Sequence, residues 1–412
     1  MKARLKRTQL PLAFTAWRRL ARALVGLCLG WSMGMGASGT ASAAPATPVA
    51  PLSLGINALW IPGDAAALKA RFKKARALGI TEVRLDWEWR QAEATRGQYQ
   101  WDKFDTLVRT ASEEGISLLP IVHYAPAWAL VKARKRDDVY ELAPHEDAYA
   151  DYARFLLECI RRYGPGGKAG GTLKPFTPIT HWQVWNEPNI KQFWGPDPDA
   201  EDFAKLTRIV HQTLAPVRGQ IKLVHAGLSK SDIEFMWHLW DADPKHGETF
   251  DIMAVHSYVF DWNDGIRTPE AMDKDSSDAA PMGFVGSTQD GGYLGKVFNL
   301  QLFMTLRGSP GKPIWITEMG YFVAKHRLGV SEPEQGVRLK QTVDFIRQRL
   351  TQQPYGSGPR KLPANVQRLY WFSLEDYPSP DGLGSFGVYR PDGSLRPAGE
   401  ALKALNALNA PS

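Results

Sequence analysis

WQVWNEP at residues 182–188 and PIWITEMG at residues 313–320 are the two stretches that decide the fold. Each begins as a short apolar run rich in aromatic and β-branched residues, which is typical of a buried strand in a parallel sheet. Each run stops on a glutamate, Glu187 in the first stretch and Glu318 in the second. The two stretches therefore predict strands whose carboxyl ends carry acidic side chains.

Strand-like and helix-like segments alternate from residue 52 to the end of the chain, and this order favours a parallel α/β architecture. Eight strand-like segments precede helical ones, which predicts a closed (β/α)8 TIM barrel that forms a single catalytic domain over 52–408. The predicted strands cover 52–57, 82–86, 117–123, 181–186, 222–226, 251–256, 313–318 and 367–373.

The segments between these strands have the apolar period of helices. Leu68, Phe72 and Ala75 recur at helical spacing, with Asp64 placed as N-cap and Gly79 as terminator. A doubly wound open sheet is the alternative, but its first turn would normally be rich in glycine, and residues 57–60 are not. The same period returns in two later helices, at Phe104, Leu107, Val108 and Ala111, and at Leu339, Val343, Ile346 and Leu350.

The net charge of +7 belongs to the N-terminus. Residues 1–43 hold seven of the 50 basic side chains and no acidic one, so the rest of the chain balances its 43 acids. This balance argues against a nucleic-acid partner. The basic start, the apolar stretch and Ala41-Ser42-Ala43 predict a signal peptide over 1–43 and a periplasmic or secreted protein, with an uncleaved membrane anchor as the alternative. A Pro/Ala-rich linker is predicted over 44–51.

Glu187 and Glu318 are the candidate catalytic residues. In a TIM barrel the loops at the carboxyl ends of the strands converge on one face, so glutamates that end the fourth and seventh strands can face each other. Hydrolysis of a glycosidic bond with retention needs two carboxyl groups about 5 to 5.5 Å apart. The pair therefore predicts a glycosidic-bond hydrolase.

The residues around both glutamates also resemble a known group of enzymes. Residues 185–188, Trp-Asn-Glu-Pro, and 316–320, Ile-Thr-Glu-Met-Gly, are similar to the two catalytic signatures of clan A retaining glycoside hydrolases. Residues 89–105 and 386–397 extend the similarity. The chain most resembles family 39, particularly bacterial endoglycosidases linked to exopolysaccharide systems, with family 5 endoglycanases as neighbours.

The resemblance implies a role for each matching residue. Glu187 would be the acid/base and Glu318 the nucleophile, while Asn186 would hydrogen-bond the sugar 2-hydroxyl. Arg84 and Tyr258 would hold the nucleophile as an anion, because a positive charge and a phenolic donor both favour a carboxylate.

Further substrate-binding residues are expected at the strand ends. His256 would line the wall beside the nucleophile, and Trp371 resembles the platform under the sugar at the cleavage point. His123, Trp128 and Trp60 are expected to contribute to the same cleft, because sugar rings stack on aromatic side chains.

The expected function is endo-acting cleavage of β-glycosidic bonds in a bacterial exopolysaccharide or β-glycan. Alternatives are an exo-acting β-glycosidase on oligosaccharides and a catalytically silent carbohydrate-binding protein of an envelope polysaccharide system. Neither a cofactor nor a metal is expected, because the histidines lack a paired ligand spacing such as HExxH. Expected partners are the polysaccharide or oligosaccharide substrate and exopolysaccharide export machinery, without stable membrane insertion after signal cleavage.

Overall fold

The protein is described by a computed structural model that covers residues 52–59, 62–131, 142–261, 265–266, 294–352, 363–379 and 384–408. These residues belong to one compact unit. The predicted signal peptide, the linker 44–51 and Trp60 lie outside the described residues. None of the helices within the described ranges is both long enough and apolar enough to cross a membrane.

Eight strands form the barrel, and all eight predicted strands are present. Each lies within a few residues of its expected position. They are β1 Ser53–Asn57, β2 Glu82–Glu88, β3 Ser117–His123, β4 His181–Val184, β5 Lys222–Val224, β6 Met253–His256, β7 Ile314–Met319 and β8 Val366–Trp371.

The strands pair in parallel in the order β5-β4-β3-β2-β1-β8-β7-β6. A bridge between Val224 and Ile252 joins β5 to the start of β6, and the amide of His225 donates to Ile252 O at 2.9 Å. A two-residue strand, Leu228–Ser229, continues β5 and pairs with β6. The sheet therefore closes on itself, which confirms the predicted TIM barrel.

One long helix follows each strand. In chain order they are α1 Ala65–Ala77, α2 Asp102–Glu113, α3 Tyr149–Tyr163, α4 Ala200–Thr213, α5 Ile233–Ala242, α6 Lys296–Leu306, α7 Glu332–Phe345 and α8 Pro397–Ala407. A π-helical turn, Ile346–Leu350, extends α7. Shorter elements are the helical turns Trp89–Ala92, Ala127–Ala129, Glu146–Ala148, Ala169–Thr172, Ala215–Val217 and His246–Glu248, and a hairpin of Phe260–Asp261 with Gly265–Ile266.

The first helix shows why the sequence forms these elements. The Asp64 side chain accepts a hydrogen bond from the amide of Ala67 at 2.7 Å and so caps α1, as predicted. Leu68, Phe72 and Ala75 are its buried residues, and Gly79 ends the turn with φ of 74°. The apolar stripe thus packs against the barrel.

Inside the barrel, an apolar layer supports a polar one. Trp315 and Tyr370 belong to a small cluster of buried hydrophobic side chains, together with Leu119, Val224, Ile252 and Ala254. Gly55 on β1 makes room for the Tyr370 ring, since a Cβ there would lie 2.5 Å from that ring. The polar layer begins two residues beyond Gly55, where Asn57 on β1 pairs with Arg84 on β2, and it includes Gln183 on β4. The polar layer therefore packs on a layer of buried apolar side chains.

Three strands end two residues before their predicted ends, β4 at Val184, β5 at Val224 and β8 at Trp371. The chain predicted as strand until residue 186 leaves β4 after Val184, because Trp185 has φ of 66° and Glu187 has φ of 39°. Left-handed residues cannot continue a β-ladder. The segment predicted as 222–226 is similarly interrupted after Val224, with Gly227 at φ of 71°. These turns redirect the chain where the site is built.

A buried histidine pair lies between the barrel and its helices. His225 Nε2 and His246 Nε2 are 3.3 Å apart, and Phe250 packs against both rings. Burial lowers the pKa of His246 to about 3, helped by the positive charge of Arg208. Burial and the neighbouring His246 lower the pKa of His225 well below its usual value. Both side chains are therefore neutral in the folded protein at mildly acidic pH.

This pair predicts acid sensitivity of the fold. An unfolded histidine takes up a proton below about pH 6.5, so the unfolded state binds more protons and stability falls as the pH drops from 6.5 toward 3. We expect His246→Leu to reduce the slope of unfolding free energy against pH by up to about 1.4 kcal/mol per pH unit. Urea unfolding at several values between pH 4 and 7 measures this slope.

His238→Leu is the matched control, because His238 is exposed on α5. Its slope should equal that of the unchanged protein. An unchanged slope in His246→Leu would show that the buried pair does not contribute to acid sensitivity.

Candidate active site

Arg84 on β2 lies at the centre of the polar layer and is fully buried. Its Nε donates to Gln183 Oε1 at 2.9 Å. Its Nη1 donates to Asn57 Oδ1 and to Glu318 Oε1, both at 2.7 Å. Its Nη2 donates to Asn186 Oδ1 at 2.8 Å and faces His256 Nε2 at 3.4 Å. Every N–H of the guanidinium thus has a partner, as a buried cation requires.

Glu318 lies on β7 and receives two donors. Arg84 contacts Oε1, and the Tyr258 hydroxyl donates to Oε2 at 2.9 Å. Burial acts to raise the pKa of Glu318, but the positive charge of Arg84 and the hydrogen bonds from Arg84 and Tyr258 hold that pKa below its usual value. Glu318 is therefore kept as an anion.

Glu187 follows β4 in a turn that aims its side chain at the same point. Its amide donates to the carbonyls of Ala226 and Gly227, both at 3.2 Å. Its Oε1 lies 2.7 Å from His256 Nδ1. The left-handed backbone of Trp185 and Glu187 is uncommon for residues with side chains and marks a constrained turn.

His256, fully buried on β6, lies between the two glutamates. Because a guanidinium only donates, the Nε2 that faces Arg84 is best assigned as an acceptor, and Nδ1 then carries the proton toward Glu187. His256 Nε2 is also 3.6 Å from Glu318 Oε1. The imidazole therefore separates and orients the two carboxylates.

The two carboxylates are close enough to act on one atom. An oxygen of Glu187, an oxygen of Glu318 and a nitrogen of His256 all lie within 4.8 Å of one another. The same spacing would suit a metal ion, but Arg84 already shares Glu318 Oε1, and its fixed positive charge opposes a second cation there. The arrangement favours chemistry by a carboxylate pair.

His123 ends β3 and is buried, with Nε2 2.9 Å from Asp86 Oδ1. Its ring stacks on Tyr124 with 3.6 Å between centroids. Its Nδ1 has no partner in the part of the chain that the structure describes. The substrate contact of His123 stays a prediction.

Two predicted tryptophans are packed rather than open. Trp371 ends β8 and is only 1% exposed. Trp128 is half-buried, donates from Nε1 to Glu93 O at 3.0 Å and packs edge-to-face on Trp89 at 5.3 Å. Their substrate contacts stay predictions, as does that of Trp60, which lies outside the described residues.

Three residues of the site were not predicted from the sequence. Asn57 binds Arg84 and donates from Nδ2 to Thr317 O at 2.9 Å, next to Glu318. Gln183 binds Arg84 from β4. Gly227 lies against His256. The available signal was a polar side chain inside an apolar strand, which marks Asn57 and Gln183 but not Gly227.

Comparison with solved structures supports the same fold. A family 39 glycoside hydrolase from Bacteroides cellulosilyticus matches with a TM-score of 0.58 at 20% identity, over 87% of this chain and 64% of that one. A β-xylosidase from Caulobacter crescentus matches with a TM-score of 0.57 at 17% identity, over 86% and 68%. A variant of a family 5, subfamily 18 protein from Streptomyces cattleya, in complex with Manβ1-4GlcNAc, matches with a TM-score of 0.57 at 17% identity, over 86% and 80%.

These matches show that the chain has the barrel seen in family 39 and family 5 glycoside hydrolases, as its resemblance to clan A implies. The chain spans less than two thirds of the length of the family 39 structure. No protein-family model matches the sequence, and no curated protein does.

Gly227 provides a test of the site's packing. A Cβ on this residue would lie 2.4 Å from His256 Nε2, and its φ of 71° disfavours any side chain. We expect Gly227→Ala to lower the free energy of unfolding by about 2 to 4 kcal/mol, since backbone strain and overpacking add. Urea unfolding measures the loss.

Gly115→Ala is the matched control. Gly115 has φ of 64° but no atom within 4 Å of the position of a Cβ. Gly115→Ala should lower the free energy of unfolding by about 1 to 2 kcal/mol, because it adds backbone strain but no overpacking. Equal losses in both variants would contradict the contact between Gly227 and His256.

Proposed function

We propose that this protein is a retaining glycoside hydrolase that cleaves β-glycosidic bonds by double displacement. The observation that carries the proposal is the buried carboxylate pair, Glu187 and Glu318, with oxygens within 4.8 Å. Retaining enzymes have their carboxyl groups about 5 to 5.5 Å apart, whereas inverting ones need about 6.5 to 9.5 Å to admit water. The sequence resemblance and the barrel shared with glycoside hydrolases support it.

In the first step, Glu318 attacks the anomeric carbon while Glu187, in its protonated form, gives its proton to the leaving oxygen. The C–O bond to the leaving group breaks, and an ester bond forms between the sugar and Glu318. Arg84 and Tyr258 keep Glu318 ionised before attack, so the nucleophile is ready at neutral pH.

In the second step, the ionised Glu187 takes a proton from water, and that water attacks the anomeric carbon. The ester to Glu318 breaks, and both glutamates return to their starting forms. Each displacement inverts the anomeric centre, so the product retains the β configuration. His256 Nδ1, at 2.7 Å from Glu187 Oε1, would hold this carboxylate in position for water activation.

Asn186 supports the proposal through its orientation. Its Oδ1 accepts from Arg84 Nη2 at 2.8 Å, so its amide hydrogens are the groups left to meet a ligand. A donor beside the nucleophile would bind the sugar 2-hydroxyl, and this hydrogen bond can strengthen as positive charge develops on the ring.

Endo action on a bacterial exopolysaccharide or β-glycan is the finer part of the proposal and is supported by the sequence resemblance. Exo action on oligosaccharides and silent carbohydrate binding are the alternatives. We also propose export, on the basis of the predicted signal sequence, and N-terminal sequencing of the exported protein should place the cleavage after Ala43.

A product analysis tests the function. The unchanged protein, Glu187→Gln and Glu318→Gln would be incubated with β-glucans, mannans, xylans and bacterial exopolysaccharides. We expect reducing oligosaccharides from the unchanged protein alone, with large products early if action is endo. Polymer binding without cleavage would favour the silent binding protein, and monosaccharides alone would favour exo action.

Glu187→Ala should separate the two steps. An aryl β-glycoside of an acidic phenol releases its phenolate without protonation, so the first step should still proceed. Attack of water on the glycosyl-enzyme should slow about 10²- to 10⁴-fold, because the general base is missing. Azide needs no general base, and we expect it to restore turnover and give a β-glycosyl azide. Glu318→Ala should lose turnover and give no β-glycosyl azide, and a β-glycosyl azide from Glu318→Ala would contradict the assigned roles.

Tyr258→Phe tests the electrostatics of the nucleophile. Loss of the hydroxyl removes a hydrogen bond that favours the Glu318 carboxylate, so the pKa of Glu318 should rise. Protonated Glu318 cannot attack, so the acidic limb of kcat/KM should move to higher pH. Tyr99→Phe is the control, because the contacts of Tyr99 are with Trp101, Phe155 and Arg154 and not with Glu318. An unmoved limb in Tyr258→Phe would contradict the role of the hydrogen bond.

A further inference from the structure

Gln183 is a fully buried side chain on β4 that contacts both halves of the site. Its Oε1 accepts from Arg84 Nε at 2.9 Å. Its Nε2 donates to the carbonyls of Trp185 and Ala226, both at 3.0 Å. Because a guanidinium only donates and a carbonyl only accepts, the amide has a single consistent orientation.

On one side, Gln183 fixes the plane of the Arg84 guanidinium. Nε is held by Gln183, and one hydrogen of Nη1 is held by Asn57 at 2.7 Å. With these two bonds in place, the second hydrogen of Nη1 points at Glu318 Oε1. Gln183 is an uncharged acceptor, so it orients the guanidinium without neutralising the charge that Glu318 receives.

On the other side, Gln183 supports the turn that carries Glu187. Trp185 has φ of 66°, a conformation that costs free energy for a bulky residue, and Gln183 binds its carbonyl. The Ala226 carbonyl accepts from both Gln183 Nε2 and the amide of Glu187. One side chain therefore links the placement of both glutamates.

We infer that Gln183 is a positioning residue, which orients Arg84 toward Glu318 and holds the turn that presents Glu187. Its kinetic consequence rests on the proposed function, but its effect on Glu318 does not. Charged and titratable groups that face Glu318 come from several elements. They are Arg84 on β2, Glu187 after β4, His256 on β6 and Tyr258 after β6.

Gln183→Met tests the inference without requiring a substrate. Methionine has a similar length but neither the acceptor for Arg84 nor the donor for the two carbonyls. We expect the acid dissociation constant of Glu318 to fall about tenfold, because a loosened guanidinium stabilises its carboxylate less. A ¹³C NMR titration of the purified protein with labelled glutamate carboxyl groups measures it, and the Glu318 signal is the one missing in Glu318→Gln.

Gln335→Met is the matched control. Gln335 is also fully buried and donates from Nε2 to two carbonyls, of Tyr321 at 2.8 Å and Phe386 at 3.2 Å. It makes no hydrogen bond to Arg84 or to either glutamate among the described residues. Gln335→Met should lower the unfolding midpoint and leave the Glu318 titration unchanged.

Gln183→Glu retains the shape of the side chain and decides the matter if Gln183→Met does not fold. A carboxylate beside Arg84 Nε would share its charge, so Glu318 should again become a weaker acid, by about tenfold. A Glu318 titration that equals the unchanged protein in the folded Gln183 variants would overturn the inference.

Kinetics then separate this inference from the proposed function. Where an aryl β-glycoside is hydrolysed, Gln183→Met should lower kcat at least about tenfold with KM within about threefold, because positioning acts in the transition state. A shifted Glu318 titration with no hydrolysis by the unchanged protein would leave the inference standing and contradict the proposed function. Hydrolysis by the unchanged protein, together with a Glu318 titration that Gln183→Met leaves unshifted, would support the proposed function and overturn the inference.

Discussion

The constraint on which the rest of the site depends is the buried charge of Arg84. A fully buried guanidinium is stable only when each N–H has an acceptor and a nearby anion balances its charge. β1, β2, β4, β6 and β7 each supply one of the groups involved, so the closed barrel brings the partners together. Removal of Arg84 would leave Glu318 as an uncompensated buried carboxylate. The ion pair thus links the fold to the proposed chemistry.

The two glutamates are chemically identical but lie in different surroundings. Glu318 accepts from a cation and a phenol, which favour its ionised form. Glu187 is reached by the imidazole of His256, whose proton position is set by Arg84 on its other side. A nucleophile must stay ionised, whereas an acid/base must exchange a proton. In the proposed mechanism, the polar layer would give the two glutamates these different roles through their fixed neighbours.

The sequence predicted the eight strands, the barrel and several of the residues that meet in the site, because apolar runs that end in polar residues indicate buried strands. It did not predict that β4 ends at Val184, since the left-handed turn that follows is held by hydrogen bonds from Gln183 and Glu187 to the carbonyl of Ala226, which is distant in sequence. Asn57 and Gln183 were missed because an amide that serves a buried arginine resembles any polar residue in a strand. Gly227 was missed because it matters only through the side chain that it lacks, which leaves room for His256. Burial of Trp371 likewise depends on packing that local sequence does not encode.

The most direct test of the account is covalent labelling of the nucleophile. Activated 2-deoxy-2-fluoro-β-glycosides of the gluco, galacto, manno and xylo series slow both steps, but the good leaving group lets the glycosyl-enzyme accumulate. Peptide mass spectrometry of the treated protein should find one fluoroglycosyl group on Glu318, and Glu318→Gln should stay unlabelled. A label on another residue, or no label from any sugar of the series, would contradict a retaining mechanism through Glu318.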